Sequence, residues 1–378
     1  MSKGTILYAG AFELPDKNAS ANRVVSNGKI FRDLGYDVAF LGVTKDGEYF
    51  DGIRRADCLG FTVFEEAYPK TTGQWLMRVF SIENLNRAVA SLSDVRMIVL
   101  YNVPFAMLKR VRKHYRKSGI KIVYDCTEWN DCAEGNILKR KYKMLDEKKI
   151  ESRLVSQADG LIVISRRMEK AYADCKNLLR LPPLVDTSDP IWRQERKRDD
   201  GRFEFCFAGE LGGNKESMEN VVRAFGELKD ENCFLRVIGV EKDAFCVRYP
   251  DLSDICDNKK IIFMGRLSHE DTVGYVLGCD CYIFVRKSNN RNEAGFPTKF
   301  AEAATCGIPV ITTDVSDIGE YIGKSVRGII LSDIGTDMIA GAIVNAVSEY
   351  GKSAGLSMLF DYRSYVAAAE NWLGKVLK

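Results

Sequence analysis

The sequence predicts an α/β fold of two doubly wound domains, each a parallel sheet with helices on both faces. Three observations predict it. Short β-branched runs alternate with helix-length amphipathic stretches almost from end to end. The 378 residues exceed what one hydrophobic core usually supports. One break in the pattern, at 181–202, separates two halves with the same rhythm. Alternation implies parallel strands, because a parallel connection needs a helix-length crossover that packs back on the sheet.

The first half opens with the strand TILYAG and the helix ASANRVVSNGKIFRDLG, which Gly35 closes. DVAFLG is the next strand. VRMIVLYN and IKIVYD follow with a basic helix between them, and GLIVIS comes after a long charged helix at 137–158. In the second half the strands are FEFCFAG, CFLRVIG, KIIFMG, DCYIFV, IPVITT and RGIIL, each followed by a helical pattern. The break, LPPLVDTSDPIWRQERKRDDGR, combines a Pro-Pro pair, a third proline and a charge run without apolar periodicity. It sets a first domain at 1–185, a linker at 186–202 and a second domain at 203–357. The tail 358–378 should end in a packed helix, since Tyr365, Ala368 or Ala369, Trp372 and Val376 share a face. Two such domains are expected to present the carboxyl ends of their strands across a cleft, the usual place for a ligand.

Composition excludes several function classes. A chain 46% hydrophobic and 28% charged is ordinary for a globular protein, and a net charge of +3 gives no argument for nucleic acid. The eleven cysteines never take CxxC spacing, which fits reduced thiols. No run of about 18 apolar residues occurs, and MSKGTILYAG is too quickly polar for a signal peptide. The expected location is cytoplasmic, at most on a membrane surface.

The two histidines, His114 and His269, are too few for a multi-histidine metal site and read as surface residues. No D-x-D pair, no G-x-x-x-x-G-K-[ST] loop and no G-x-G-x-x-G fingerprint is present. The positive signals lie in the second half. FAGELGGNKESMENVVRAF is a strand, a Gly-rich turn and a helix with Lys215 near its start. Lys215 reads either as a phosphate ligand beside free backbone N–H groups or as a solvated loop lysine. In NEAGFPTKFAEAATCGIPVITTD, Gly295 lets the backbone approach a ligand and Pro297 suits a first helical turn. The N–H groups of Thr298 and Lys299 then face an anion. Glu302 sits on a helix too small and apolar for a plain surface, so its carboxylate should be paired or ligand-facing.

These two segments resemble the donor-site motifs of retaining GT-B glycosyltransferases of the family 4 type. Looser likeness extends to ASANRVVSNGKIFRDLGYDV, VYDCTEW and ADGLIVISRRMEKAY, so the resemblance spans nearly the whole chain. It implies two Rossmann-like domains and transfer of a sugar from a nucleoside-diphosphate sugar, needing neither cofactor nor metal. It further implies a saccharide or lipid-linked acceptor, as in bacterial surface polysaccharide synthesis. Gly209 and Lys215 would hold the diphosphate, Glu302 the ribose, and backbone groups at Arg266 and Leu267 the base. Gly295, Phe296, Pro297, Thr298 and Lys299 would line the sugar and distal phosphate. Gly10 would sit in the facing loop of the first domain, and the last helix would pack back on that domain.

Two departures stand out. The first carboxylate of the family's Glu-x7-Glu pair falls at position 294, an alanine here, with Glu293 one residue out of register. The arginine expected after Gly209 is Glu210; Arg286 or Arg291 is a candidate replacement, and each reads equally as a solvated loop arginine. The first-domain histidine has no match, and Glu128 in DCTEWND is a candidate to orient an acceptor hydroxyl. Residues 104–121 form a basic amphipathic helix, read either as the outer helix of a sheet or as a contact with anionic lipid. A non-catalytic partner subunit of the same fold and a sugar-nucleotide epimerase remain the alternative readings.

Overall fold

The computed structural model describes residues 2–129, 137–194, 201–211, 216–229, 232–350 and 355–378. The chain divides into two compact units. One takes Met1–Val185, Ala294–Phe296 and Tyr362–Lys378, and the other Asp186–Glu293 and Pro297–Asp361.

In chain order the first stretch forms β1 (Thr5–Gly10), α1 (Ala19–Asp33), β2 (Asp37–Thr44), β3 (Arg54–Cys58), β4 (Phe61–Ala67), α2 (Thr72–Phe80) and α3 (Glu83–Ala90). There follow β5 (Val95–Tyr101), α4 (Phe105–Tyr115), β6 (Lys121–Cys126), α5 (Ile137–Gln157), β7 (Gly160–Val163), α6 (Arg166–Ala171) and β8 (Leu178–Arg180). The sheet order is β3-β4-β2-β1-β5-β6-β7-β8, parallel except for the β3–β4 hairpin. Sequence pattern did not reveal β3, β4 or β8. β3 reads RRADC and is almost wholly exposed, so it lacks an apolar run. Its turn is legible only afterwards, with Leu59 at φ 53° and Gly60 at φ 75°. The chain winds outward from β1 through β2 and β4, then crosses to the other side at β5. The switch point therefore lies between β1 and β5.

α1 is bound to the sheet by more than apolar contact. Asp125 on β6 is fully buried, and Arg23 clasps it through Nε at 3.0 Å and an η nitrogen at 2.7 Å. Tyr8 donates to the same carboxylate, and Asn27 donates to the Tyr8 hydroxyl at 3.1 Å. Arg23 also donates to the Leu181 carbonyl at 2.8 Å. The loosely matching segments around Arg23 and Asp125 thus meet in a structural ion pair.

The second stretch forms β9 (Phe203–Ala208), α7 (Met218–Glu227), β10 (Cys233–Ile238), α8 (Lys242–Arg248), α9 (Ser253–Cys256), β11 (Ile261–Phe263) and α10 (His269–Gly278). β12 (Cys281–Ile283), α11 (Asn290–Ala294), α12 (Thr298–Thr305), β13 (Val310–Thr313), β14 (Gly328–Leu331), α13 (Thr336–Glu349) and α14 (Val366–Val376) complete the chain. The order β11-β10-β9-β12-β13-β14 is all parallel, with its switch point between β9 and β12. Cys279 caps α10 and Cys281 opens β12. The ten described cysteines are all free.

Part of the expected linker is folded. Thr187 donates to Asp361 from its N–H at 2.9 Å and its hydroxyl at 2.6 Å, and Trp192 is buried in a 3-10 turn. α14 belongs to the first unit, where Trp372 stacks on Phe31 at 6.5 Å and donates to the Asn177 carbonyl at 2.9 Å.

Candidate functional site

Both switch points carry chemistry. In the second unit, β9, β10 and β11 are followed by Gly209, Gly239 and Gly265, the last after Met264. Gly209 N–H donates to the Ile238 carbonyl at 2.9 Å, and Gly239 N–H to the Gly265 carbonyl at 2.7 Å. A Cβ on Gly239, which has φ +92°, would run into the Gly209 carbonyl, and one on Gly209 into Lys299 Nζ. Three adjacent strand ends therefore present bare backbone, and only glycine permits that approach at Gly239.

Around them sits a buried charge cluster. Lys299 Nζ, from the first turn of α12, donates to the two oxygens of Glu216 at 2.7 and 2.6 Å. Arg286, just past β12, donates to Glu216 Oε1 at 2.8 Å, and its own N–H donates to Thr313 Oγ1 at 3.0 Å. Arg286 Nε is buried without a partner among the described residues. Burial alone would push the Glu216 carboxyl up, but Lys299 and Arg286 outweigh it and hold the group at about 2. The Lys299 ammonium is shifted down, first by burial and then by the like charge of Arg286, with Glu216 opposing. Lys299, Arg286 and the Glu216 carboxylate share the site, and the Glu302 carboxylate acts on Lys299 from the same helix.

Glu302 lies on the same helix. Phe300, Ala301, Ala303 and Ala304 bury the apolar side of α12, while Glu302 stays half-buried with Oε1 3.5 Å from His269 Nε2. His269 opens α10 and meets Trp192 edge-on at 6.4 Å. The surface reading of His269 is thus corrected: the parallel crossover brings the starts of α10 and α12 together. Pro297 is the N-cap of α12 rather than its first residue, and no side chain caps that end.

Other expected residues fall elsewhere. Glu293, on α11, accepts from Ser288 Oγ at 2.8 Å and, beyond β13, from the Ser316 N–H at 3.2 Å, so it is spoken for structurally. Ala294 is fully buried and its carbonyl accepts from Ser165 Oγ at 2.6 Å. Gly295 and Phe296 group with the first unit, whereas Thr298 and Lys299 belong to the second. Arg291 is half-buried on α11 and is not among the partners of Glu216. Arg266 is exposed and Leu267 half-buried in the loop that follows β11. Glu210 is exposed, and Lys215 lies outside the described residues. Glu216, adjacent to Lys215 in the Gly-rich turn, was not foreseen; a lone carboxylate beside a lysine carries no local sign of a distant partner.

In the first unit a cavity of about 420 Å³ opens at the β1/β5 switch point, lined by Gly10, Asp51, Glu66, Arg78, Tyr101 and Asn102 among others. A Cβ on Gly10 would come within 2.8 Å of Tyr101, so β1 ends in glycine for close approach. Glu66 is fixed by Arg78 at 2.7 Å and Asn84 at 2.9 Å. Asn102 accepts from the Thr127 N–H at 3.0 Å, and the half-buried Glu128 follows directly. Among the described residues no three His, Cys, Asp or Glu side chains form a set suited to a metal ion.

Residues 188–356 match the family model of glycosyl transferases group 1. That match covers nearly all of the second unit, including the glycine strand ends, Arg286, Lys299 and Glu302. The whole chain is similar in fold to solved GT-B structures. Sucrose-phosphate synthase from Thermosynechococcus elongatus superposes with TM-score 0.74 at 13% identity, covering 99% of each chain. Anabaena Alr3699/HepE in complex with UDP gives 0.68 at 13%, covering 98% of this chain and 99% of its own. The catalytic domain of starch synthase IV from Arabidopsis thaliana, bound to ADP and acarbose, gives 0.70 at 10% over all of both chains. At these identities the likeness is one of fold. No curated protein matches in sequence.

Proposed function

We propose that this protein is a retaining, metal-independent glycosyltransferase of the family 4 type. It would move a sugar from a nucleoside-diphosphate sugar to a saccharide or lipid-linked acceptor. The observation that carries the reading is the Glu216–Lys299–Arg286 cluster against bare glycine backbone at the second switch point. Breaking a glycosidic bond to a diphosphate leaves charge on the departing phosphates, which preorganised cations stabilise more in the transition state than in the ground state. Lys299 and Arg286 supply such cations, with Arg286 in the role of the arginine absent at Glu210, and Lys215 joins them by resemblance.

Glu216 neutralises part of this charge, and donor phosphates would take its place. Glu302 accepts from the ribose hydroxyls, and His269 orients it. Backbone at Arg266 and Leu267 meets the base. The departing phosphate takes the acceptor proton, so no strong protein base is needed, in keeping with a sequence of two histidines. The first-unit cavity, with Glu128 nearby, is the acceptor side. A place in surface polysaccharide synthesis, in the cytoplasm or on the inner face of a membrane, fits this chemistry.

Thermal unfolding against UDP, GDP, ADP and their sugar conjugates, with and without EDTA, tests the reading. A ligand at one hundred times its dissociation constant stabilises by about 2.7 kcal/mol. The expected result is a shift with one nucleotide family, retained in EDTA and abolished in Lys215→Ala. No shift with any nucleotide would favour a non-catalytic subunit of the same fold.

A further inference from the structure

α2 is an unusual helix for a soluble surface. Of its nine residues only Val79 is buried, while Trp75, Leu76, Met77 and Phe80 are 36%, 45%, 57% and 40% exposed. At roughly 100° per residue, Leu76, Met77 and Phe80 occupy about a third of the helix circumference. Trp75 meets Tyr142 of α5 edge-on at 5.6 Å, and Leu145, one turn on from Tyr142, is exposed. Large apolar side chains exposed together on one helix face mark an interaction surface.

Its border is cationic. Arg110 of α4 lies over the Phe80 ring at 4.9 Å. Lys109, Lys113, Arg116 and Lys117 of the same segment, and Lys141 and Lys143 of α5, are exposed. Residues 104–121 contain no acidic side chain. α4 itself cannot enter a bilayer, because Phe105, Leu108, Val111 and Tyr115 are buried in the fold. The division of labour is therefore between two helices, α4 supplying charge and α2 supplying the apolar face. Gln74, Trp75, Met77 and Arg78 of α2 also line the cavity at the β1/β5 switch point.

We infer that α2, with Tyr142 and Leu145 of α5, forms a docking surface for an anionic lipid bilayer, with α2 seated in the interface beside the mouth of the cavity. Apolar side chains ringed by lysine and arginine match the acyl boundary and the phosphate layer of such a bilayer together. A cavity bordered by the seated helix would receive the polar head of a lipid-linked acceptor from the membrane plane. That last step rests on the glycosyltransferase reading; the docking surface does not.

Co-sedimentation of the full chain with vesicles tests it, using phosphatidylcholine alone and phosphatidylcholine with phosphatidylglycerol. Binding to the anionic vesicles is expected, falling several-fold between about 0.05 and 0.5 M salt as screening increases, with little binding to phosphatidylcholine alone. Leu76→Ser/Met77→Ser should lose that binding with unchanged melting temperature, since both side chains are exposed. Arg110→Ala/Lys113→Ala should weaken it and flatten the salt dependence. Failure of the unsubstituted protein to bind anionic vesicles overturns the inference, as does normal binding by Leu76→Ser/Met77→Ser. A dimer in size-exclusion chromatography that the same variant dissociates would also overturn it, assigning the patch to a second copy. Nucleotide-dependent melting of the same samples reads the donor site separately, so either proposal can fail alone.

Discussion

Replacing Glu216 by glutamine separates the charge cluster's contribution to folding from its part in binding. Glutamine keeps the shape and one acceptor oxygen but removes the anion between Lys299 and Arg286. A carboxyl that ordinarily titrates near 4.5 is held at about 2, which corresponds to about 3 kcal/mol at ~1.4 kcal/mol per pH unit. That agrees with the ~3–5 kcal/mol cost of removing one partner from a buried ion pair. Because the folded-state value lies below the unfolded one, this stability is complete above pH 4.5 and lost as pH falls through about 2. Urea denaturation should therefore find Glu216→Gln about 3 kcal/mol less stable at pH 7, with the two proteins converging towards pH 2. Binding should move the other way. Phosphate oxygens must displace the carboxylate in the natural protein, and each charge-assisted hydrogen bond so broken is worth about 1.5–3 kcal/mol. Glu216→Gln should bind the matching nucleoside diphosphate roughly tenfold or more tightly by calorimetry. Equal stability at pH 7 would refute the charge balance, and unchanged or weaker binding would refute the displacement of Glu216 by phosphate.

Further outcomes follow from other contacts. Glu302→Ala should weaken nucleoside-diphosphate binding about tenfold or more with little change in melting temperature, and His269→Ala should do the same to a smaller degree, both by calorimetry. Arg23→Met strands the buried Asp125 carboxylate and should cost about 3–5 kcal/mol in urea denaturation, without altering nucleotide affinity per folded molecule. Trp372→Ala opens a cavity against Phe31 and should cost about 3–5 kcal/mol in the same assay.

The strands that sit in the middle of each sheet were legible because burial on both faces demands continuous apolar runs, as in TILYAG and FEFCFAG. Edge elements were not: β3 is stabilised by a single neighbour, so RRADC carries no hydrophobic signature. At the site, Gly209, Lys299 and Glu302 stood out because glycine and charge are conspicuous among small apolar residues. Glu293 was noted only as the out-of-register neighbour of position 294, and it is held by Ser288 and Ser316. Local pattern registers that a charge is unusual where it stands, but carries no record of which residue answers it.

By itself the sequence determined the strand–helix alternation, the doubly wound class and the segments that supply the second switch point, since all three depend on local periodicity and turn chemistry. Only the tertiary structure decided that Glu216 answers Lys299 and Arg286 across some 70 to 83 residues. It alone set His269 beside Glu302, joined Arg23 to Asp125, and left the apolar face of α2 uncovered. Each of these depends on which helix a parallel crossover lays against which strand, a distance in space that no spacing along the chain encodes.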